Sequence, residues 1–79
     1  MRDKTILVID DDEQMRHLVQ SLMEQEGARV ITAPEGESAL RQFYRHRPDL
    51  VIVDMMMPLI SGWEVCRRIR ELSDVPMMM

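Results

Sequence analysis

Two short apolar runs that each end directly in an aspartate constrain this chain more than any other feature. Residues 5–9 read Thr-Ile-Leu-Val-Ile before Asp10, and residues 50–53 read Leu-Val-Ile-Val before Asp54. Neither run alternates with polar residues and both are rich in β-branched side chains, which is typical of parallel strands covered by helices on both faces. Two more apolar runs of strand length occupy residues 29–32 and 75–79.

Between these runs the spacing of the apolar residues becomes helical. The first stripe ends near Gly27, a residue that favours helix C-termini, the second lies between Pro34 and Pro48, and the third lies between Gly62 and Ser73. The stripes consist of Met15, Leu18, Val19, Leu22 and Met23, of Ala39, Leu40, Phe43 and Tyr44, and of Trp63, Val65, Cys66, Ile69 and Leu72. The order β-α-β-α-β-α-β with short links predicts one α/β domain with a doubly wound parallel sheet.

Composition narrows the class of protein. The chain has 79 residues, a formal charge of −4 and one cysteine, Cys66, so it offers one small acidic domain and no internal disulfide. The surplus negative charge disfavours nucleic acid or an anionic membrane as the direct partner of this segment and favours cations. The apolar run at residues 6–9 is too short for a signal peptide, so we expect a soluble cytoplasmic protein.

Acidic residues follow the first and third predicted strands. Ligands of open parallel sheets bind outside the carboxyl ends of the strands, so Asp10, Asp11 and Asp54 converge if these two strands are neighbours. Clustered carboxylates repel one another, and their hard oxygen ligands suit Mg²⁺, Mn²⁺ or Ca²⁺ better than zinc. Asp11 and Asp12 have a second interpretation as N-terminal caps of the first helix, which the residues alone leave open.

The combined motifs resemble the receiver domain of bacterial two-component response regulators. The resemblance rests on Ile-Leu-Val-Ile-Asp-Asp-Asp-Glu at residues 6–13, on Leu-Val-Ile-Val-Asp-Met-Met-Met-Pro at residues 50–58, on Gly62 and on Val75-Pro76. It implies a flavodoxin-like sheet with strand order 2-1-3-4-5. It also implies a signalling domain rather than an enzyme.

The resemblance assigns a role to each residue of the site. Asp54 would accept a phosphoryl group from the phosphohistidine of a sensor histidine kinase or phosphotransfer protein. Mg²⁺ or Mn²⁺ would be bound by Asp11 directly and by Asp10 largely through water. The remaining assignments are Asp54 and the backbone carbonyl of Met56 as further metal ligands, and Met57, Pro58 and Gly62 as residues that shape the loop.

The chain also departs from the family pattern. Receivers have five β-α units, whereas residues 1–79 supply (βα)3β, so we expect the N-terminal part of a single receiver domain without its fourth and fifth helices and fifth strand. The family's later Ser/Thr and Lys would be missing, which predicts a segment that does not switch by itself. An open edge at Val75, Met77, Met78 and Met79 predicts self-association as a homodimer or higher oligomer.

Two alternative functions stay open at this point. In the first, the chain is a purely structural half-domain or assembly fragment. In the second, Asp10-x-Asp12 after a strand resembles the haloacid-dehalogenase phosphohydrolases, in which the first aspartate is the nucleophile. The second fits less well, because Glu13 and Gln14 stand where that family expects Thr or Val.

Overall fold

A computed structural model describes residues 2–54 and 62–78 of the chain. Within these residues, strands and helices alternate in the predicted order. The elements are β1 (Thr5–Ile9), α1 (Glu13–Gln25), β2 (Arg29–Ala33), α2 (Gly36–His46), β3 (Leu50–Val53), α3 (Gly62–Arg70) and β4 (Met77–Met78). The last strand is shorter than the predicted run at residues 75–79.

The four strands form one parallel sheet in the order β2-β1-β3-β4. β1 lies between β2 and β3, and its last residue, Ile9, is in register with Ala33 on one side and with Val53 on the other. The chain therefore crosses from one side of β1 to the other between β2 and β3. The prediction of a doubly wound, flavodoxin-like α/β sheet is confirmed.

The two faces of β1 anchor two separate apolar clusters. Leu7 and Ile9 point into the larger cluster, which includes Phe43 of α2 and Ile69 of α3. Ile6 and Val8 point into the smaller one, against which Val19 and Met23 of α1 pack. All four residues at positions 6–9 are 1% exposed or less. This burial explains the absence of polar residues in the run, because successive side chains of a strand enter opposite faces of the sheet.

The apolar stripes of the helices are only partly buried. In α1, Val19 and Met23 contact the sheet, but Met15, Leu18 and Leu22 are 43%, 54% and 48% exposed. These three side chains lie on one flank of the helix, and no described residue covers that flank.

In α3 the core contact centres on Val65 and Ile69, which are fully buried. Trp63 precedes Val65 by two residues, which is about 200° around a helix, and it is 67% exposed. Leu72 lies beyond the end of α3 and is 53% exposed. Tyr44 of α2 is likewise half-exposed, at 49%.

Local backbone signals set the ends of α1. Asp12 is its N-cap, and Gly27 follows its last turn with a φ of 89°. A side chain at Gly27 would be strained in this conformation, and its Cβ would lie 2.9 Å from Cγ of Arg2. The glycine therefore ends α1 where the sequence predicted. None of the helices in the described part of the chain is long and apolar enough to cross a membrane.

Phe43 and Tyr44 provide a matched test of this core. Phe43 is 1% exposed, so Phe43→Ala should lower the free energy of unfolding by about 3–5 kcal/mol. A loss of this size is a large part of the total stability of a small domain. Tyr44→Ala in the same helix should cost much less, because its ring is already half in solvent. Urea denaturation followed by circular dichroism measures both. Equal losses would contradict the assignment of the core.

Candidate functional site

The carboxyl ends of β1 and β3 lie side by side because the two strands pair in parallel. Ile9 is in register with Val53, so the next residues, Asp10 and Asp54, leave the sheet at the same edge. The Asp54 N–H donates to the Ile9 carbonyl at 2.8 Å, and the Asp10 N–H donates to the Ala33 carbonyl at 3.1 Å. Both aspartates are therefore held by the backbone hydrogen bonds of the sheet.

The structure brings together the three carboxylates that the sequence singled out. Asp10, Asp11 and Asp54 each offer a carboxylate oxygen, and these oxygens lie within 4.8 Å of one another. Asp10 and Asp54 are half-buried, whereas Asp11 is exposed. This juxtaposition requires β1 and β3 to be neighbours, which they are.

Asp12, in contrast, caps α1. Its carboxylate accepts hydrogen bonds from the N–H of Gln14 at 2.9 Å and of Met15 at 3.4 Å. Its own N–H donates to Oδ1 of Asp10 at 2.9 Å. The capping interpretation therefore applies to Asp12 and not to Asp11, whose carboxylate belongs to the cluster.

The close approach of the carboxylates has an electrostatic consequence. Partial burial is the main cause that raises the pKa of the Asp10 carboxyl above its ordinary value, and the negative charges of Asp54 and Asp11 and a hydrogen bond with Asp54 raise it further. The N–H donated by Asp12 opposes this rise. A cation among the three carboxylates would offset their repulsion.

The donor set of the site fits a hard divalent cation. All three candidate ligands are carboxylates, and Mg²⁺ is usually bound by one or two carboxylates while it keeps several waters. An open groove of about 720 Å³ leaves room for such waters and for a phosphoryl group. The groove is lined by Val8, Ile9, Asp10, Asp11, Asp12, Met15, Val19, Ile52, Val53 and Asp54.

Other predicted site residues cannot be placed beside this cluster. Met56, Met57 and Pro58 lie outside the described residues, and Gly62 is the first residue of α3. One residue was missed: Arg16 of α1 donates from Nη1 to the backbone carbonyl of Asp10 at 2.7 Å. The available signal was its position three residues before Val19, on the side of α1 that turns toward the sheet.

Comparison with known protein families places this site in context. The family model described as the response regulator receiver domain matches residues 6–79. A probable transcriptional regulator, ycf27 of Galdieria sulphuraria, is 42% identical over 78 residues, which are 99% of this chain and 31% of that protein. The chain thus spans about a third of the length of the curated relatives it matches.

Solved structures agree with the family match. The response regulator TrrA in complex with the histidine kinase ThkA is 43% identical, with a TM-score of 0.87 over 94% of this chain and 65% of that one. TrrA of Thermotoga maritima in complex with Mg²⁺-BeF is 46% identical, with a TM-score of 0.83 over 86% of this chain and 59% of that one. The chain belongs to the response regulator receiver domain family of two-component signalling.

The raised pKa of Asp10 predicts how stability depends on pH. The folded chain holds the Asp10 proton more tightly than the unfolded chain. Without metal, the free energy of unfolding should therefore fall as the pH rises above about 4, the ordinary pKa of an aspartate, and through the higher pKa of folded Asp10. Asp10→Asn keeps the Oδ1 acceptor for the Asp12 N–H and removes the charge. It should weaken this pH dependence and raise the melting temperature at neutral pH, because it removes one of three mutually repelling charges.

Thermal unfolding in a chelating buffer measures both quantities. The control is Asp74→Asn, which removes the same charge from an exposed carboxylate in the loop before β4, at the other end of the sheet. If the wild-type chain and Asp10→Asn have the same pH dependence, carboxylate repulsion does not destabilise the metal-free fold.

Proposed function

We propose that this chain is a phosphoacceptor segment of a response regulator. Asp54 takes a phosphoryl group from a phosphohistidine of a sensor histidine kinase or phosphotransfer protein. Mg²⁺ or Mn²⁺ is held by Asp10, Asp11 and Asp54, with the backbone carbonyl of Met56 as a further ligand. The observation that carries the proposal is the convergence of three carboxylate oxygens within 4.8 Å at one edge of the sheet.

Asp54 is better suited than Asp10 to be the nucleophile. The carboxylate of Asp10 is already engaged at Oδ1, where it accepts the Asp12 N–H at 2.9 Å. Asp54 lines the open groove at the end of β3, where its backbone is fixed by the sheet. The phosphohydrolase alternative, with Asp10 as the nucleophile, is also disfavoured by the family match over residues 6–79.

The proposed phosphoryl transfer needs no reactant besides the phosphohistidine and Asp54. An oxygen of the Asp54 carboxylate forms a bond to phosphorus, the bond between phosphorus and the histidine nitrogen breaks, and the imidazole leaves with the electron pair. A bound Mg²⁺ offsets the negative charge that the carboxylates and the phosphoryl oxygens bring together. Asp10 and Asp11 would bind this cation, and the open groove would leave room for the donor histidine.

The solved relatives support the choice of partner and cation. One is a response regulator bound to a histidine kinase, and another is a response regulator bound to Mg²⁺-BeF. By this analogy the segment acts in the cytoplasm as a signalling domain and not as an enzyme. We expect no direct contact of this segment with nucleic acid or membrane.

We also propose that residues 1–79 are the N-terminal part of a single receiver domain. The chain covers 65% of the kinase-bound receiver it resembles. Met15, Leu18 and Leu22 leave an apolar flank of α1 exposed, as expected if further elements of the domain pack there. The family's later Ser/Thr and Lys would complete the phosphate-dependent switch, so this segment should not switch alone.

Phosphorylation of Asp54 can be tested with radiolabelled acetyl phosphate and Mg²⁺. Asp54→Asn in the full-length parent protein should abolish the label, and Asp74→Asn should leave it unchanged. Removing the divalent cation with EDTA should also abolish labelling, because the carboxylate cluster then repels the anionic donor.

Two results would reject the receiver function. Label that persists in Asp54→Asn but disappears in Asp10→Asn would favour the phosphohydrolase. A parent protein that takes no label under any of these conditions would favour the structural alternative. The same assay on residues 1–79 separates the chemistry of this segment from that of the parent.

We also propose that copies of this chain associate with one another through β4. β4 pairs with β3 on one side, and no described strand pairs with its other side. Met78 is 59% exposed and Met77 is half-buried on this edge. Val75 is instead 8% exposed and packs in the larger apolar cluster, which corrects its predicted place on the edge. Met79 lies outside the described residues.

We expect the isolated chain to be a dimer or larger assembly that buries this edge. Met78→Lys should shift it toward the monomer, because lysine on an edge strand opposes pairing between chains. Leu72→Lys, at another exposed apolar position, is the control and should keep the assembly. Light scattering at high protein concentration measures the mass. A monomeric wild-type chain would refute self-association.

A further inference from the structure

Arg16 makes an unexpected contact at the acidic end of the sheet. It lies in the first half of α1, is half-buried, and donates from Nη1 to the backbone carbonyl of Asp10 at 2.7 Å. Three carboxylates gather at this edge, yet among the described residues Arg16 forms no ion pair within 4.0 Å. Its guanidinium therefore donates to the backbone that carries the carboxylates.

With this contact, both the N–H and the carbonyl of Asp10 are hydrogen-bonded. The N–H of Asp10 is held by the Ala33 carbonyl of β2 at 3.1 Å, and its carbonyl is held by Arg16 at 2.7 Å. The carbonyl belongs to the peptide that joins Asp10 to Asp11. Its orientation therefore limits the directions in which the next residue can project its side chain.

Two further hydrogen bonds close the same turn, and one of them involves the Arg16 backbone. The Arg16 N–H donates to the Asp12 carbonyl at 2.9 Å, as part of the first turn of α1. The Asp12 N–H in turn donates to Oδ1 of Asp10 at 2.9 Å. The turn from β1 into α1 is thus closed by bonds from Asp12 to the Asp10 side chain and from Arg16 to the Asp10 main chain.

We propose that Arg16 is a positioning residue for the metal site. It holds the peptide between Asp10 and Asp11 so that both carboxylates face Asp54 before a cation binds. This inference rests on the proposed function, because it assigns Arg16 a role toward the Mg²⁺ that the three carboxylates would hold. Arg16 itself does not touch the cation or the phosphoryl group.

Positioning and simple charge predict opposite effects when Arg16 is removed. If the guanidinium acted only through its positive charge, its loss would make the site more negative and would tighten Mg²⁺ binding. If it acts by holding the turn, its loss lets the carboxylates move apart and weakens Mg²⁺ binding. Loss of a residue that orients metal ligands typically lowers metal affinity by about 10- to 100-fold.

The experiment compares Mg²⁺ affinity by isothermal titration calorimetry in the wild-type chain, Arg16→Met and Arg16→Lys. We expect about a 10-fold loss in Arg16→Met. A smaller loss is expected in Arg16→Lys, which keeps the charge and one donor. Arg29→Met is the matched control, because Arg29 is exposed at the start of β2, at the opposite end of the sheet, and should leave the affinity unchanged. Unchanged or tighter binding in Arg16→Met would overturn the proposal.

A second measurement needs no metal. Amide hydrogen exchange at Asp11 and Asp12 should be faster in Arg16→Met than in the wild-type chain, while exchange in β1 stays unchanged. Equal exchange at the turn would overturn the positioning role. Circular dichroism shows whether each variant is folded, and Arg16→Lys serves for both measurements if Arg16→Met is not.

The outcomes also separate this inference from the proposed function. A wild-type chain that binds no Mg²⁺ contradicts the metal site of the proposed function. The hydrogen-exchange comparison then decides alone whether Arg16 holds the turn. A wild-type chain that binds Mg²⁺ with the same affinity as Arg16→Met leaves the proposed function intact and rejects the role of Arg16.

Discussion

The parallel pairing of β1 with β3 is the constraint on which the rest of this structure depends. It joins two segments that are more than forty residues apart and sets Ile9 beside Val53. Because side chains alternate between the faces of a strand, a slip by one residue would send the apolar side chains of β3 to the wrong clusters. The same slip would displace Asp54 from Asp10. Burial of the apolar strands therefore fixes the geometry of the polar site.

The packed strands hold the site together although its carboxylates repel one another. Packing around β1 and β3 stabilises the strands, while their ends bring together carboxylates whose mutual repulsion favours separation. Partial burial is the main cause of the raised pKa of Asp10, and the repulsion by Asp54 and Asp11 adds to it. Two local contacts oppose the separation of the carboxylates without neutralising any of them. Asp12 caps α1 and donates to Asp10, and Arg16 holds the Asp10 carbonyl. The result is a cluster of three carboxylates whose positions are set by hydrogen bonds of the backbone.

Much of the fold could be predicted from the sequence, for reasons that differ between elements. β1 and β3 were predicted with their exact bounds, because strands buried on both faces admit no polar residues. The helical stripes were less informative. Periodicity shows which flank of a helix is apolar, but it does not show whether anything covers that flank. Leu18 and Trp63 therefore satisfied the pattern and are nevertheless exposed. Strand order came from the resemblance to the receiver family, since no residue encodes it directly.

The residues of the site also differ in how well the sequence predicts them. Some are revealed by their residue type, and others only by hydrogen bonds with the backbone. Asp10, Asp11 and Asp54 could be predicted because carboxylates after buried strands are conspicuous and chemically specific. The capping role of Asp12 stayed open until its carboxylate was found to accept hydrogen bonds from the N–H groups of Gln14 and Met15. Arg16 was missed because its acceptor is a backbone carbonyl, which every residue possesses and no sequence pattern marks. An arginine one helical turn before a core residue, directly after an acidic turn, is therefore worth testing as a support for that turn.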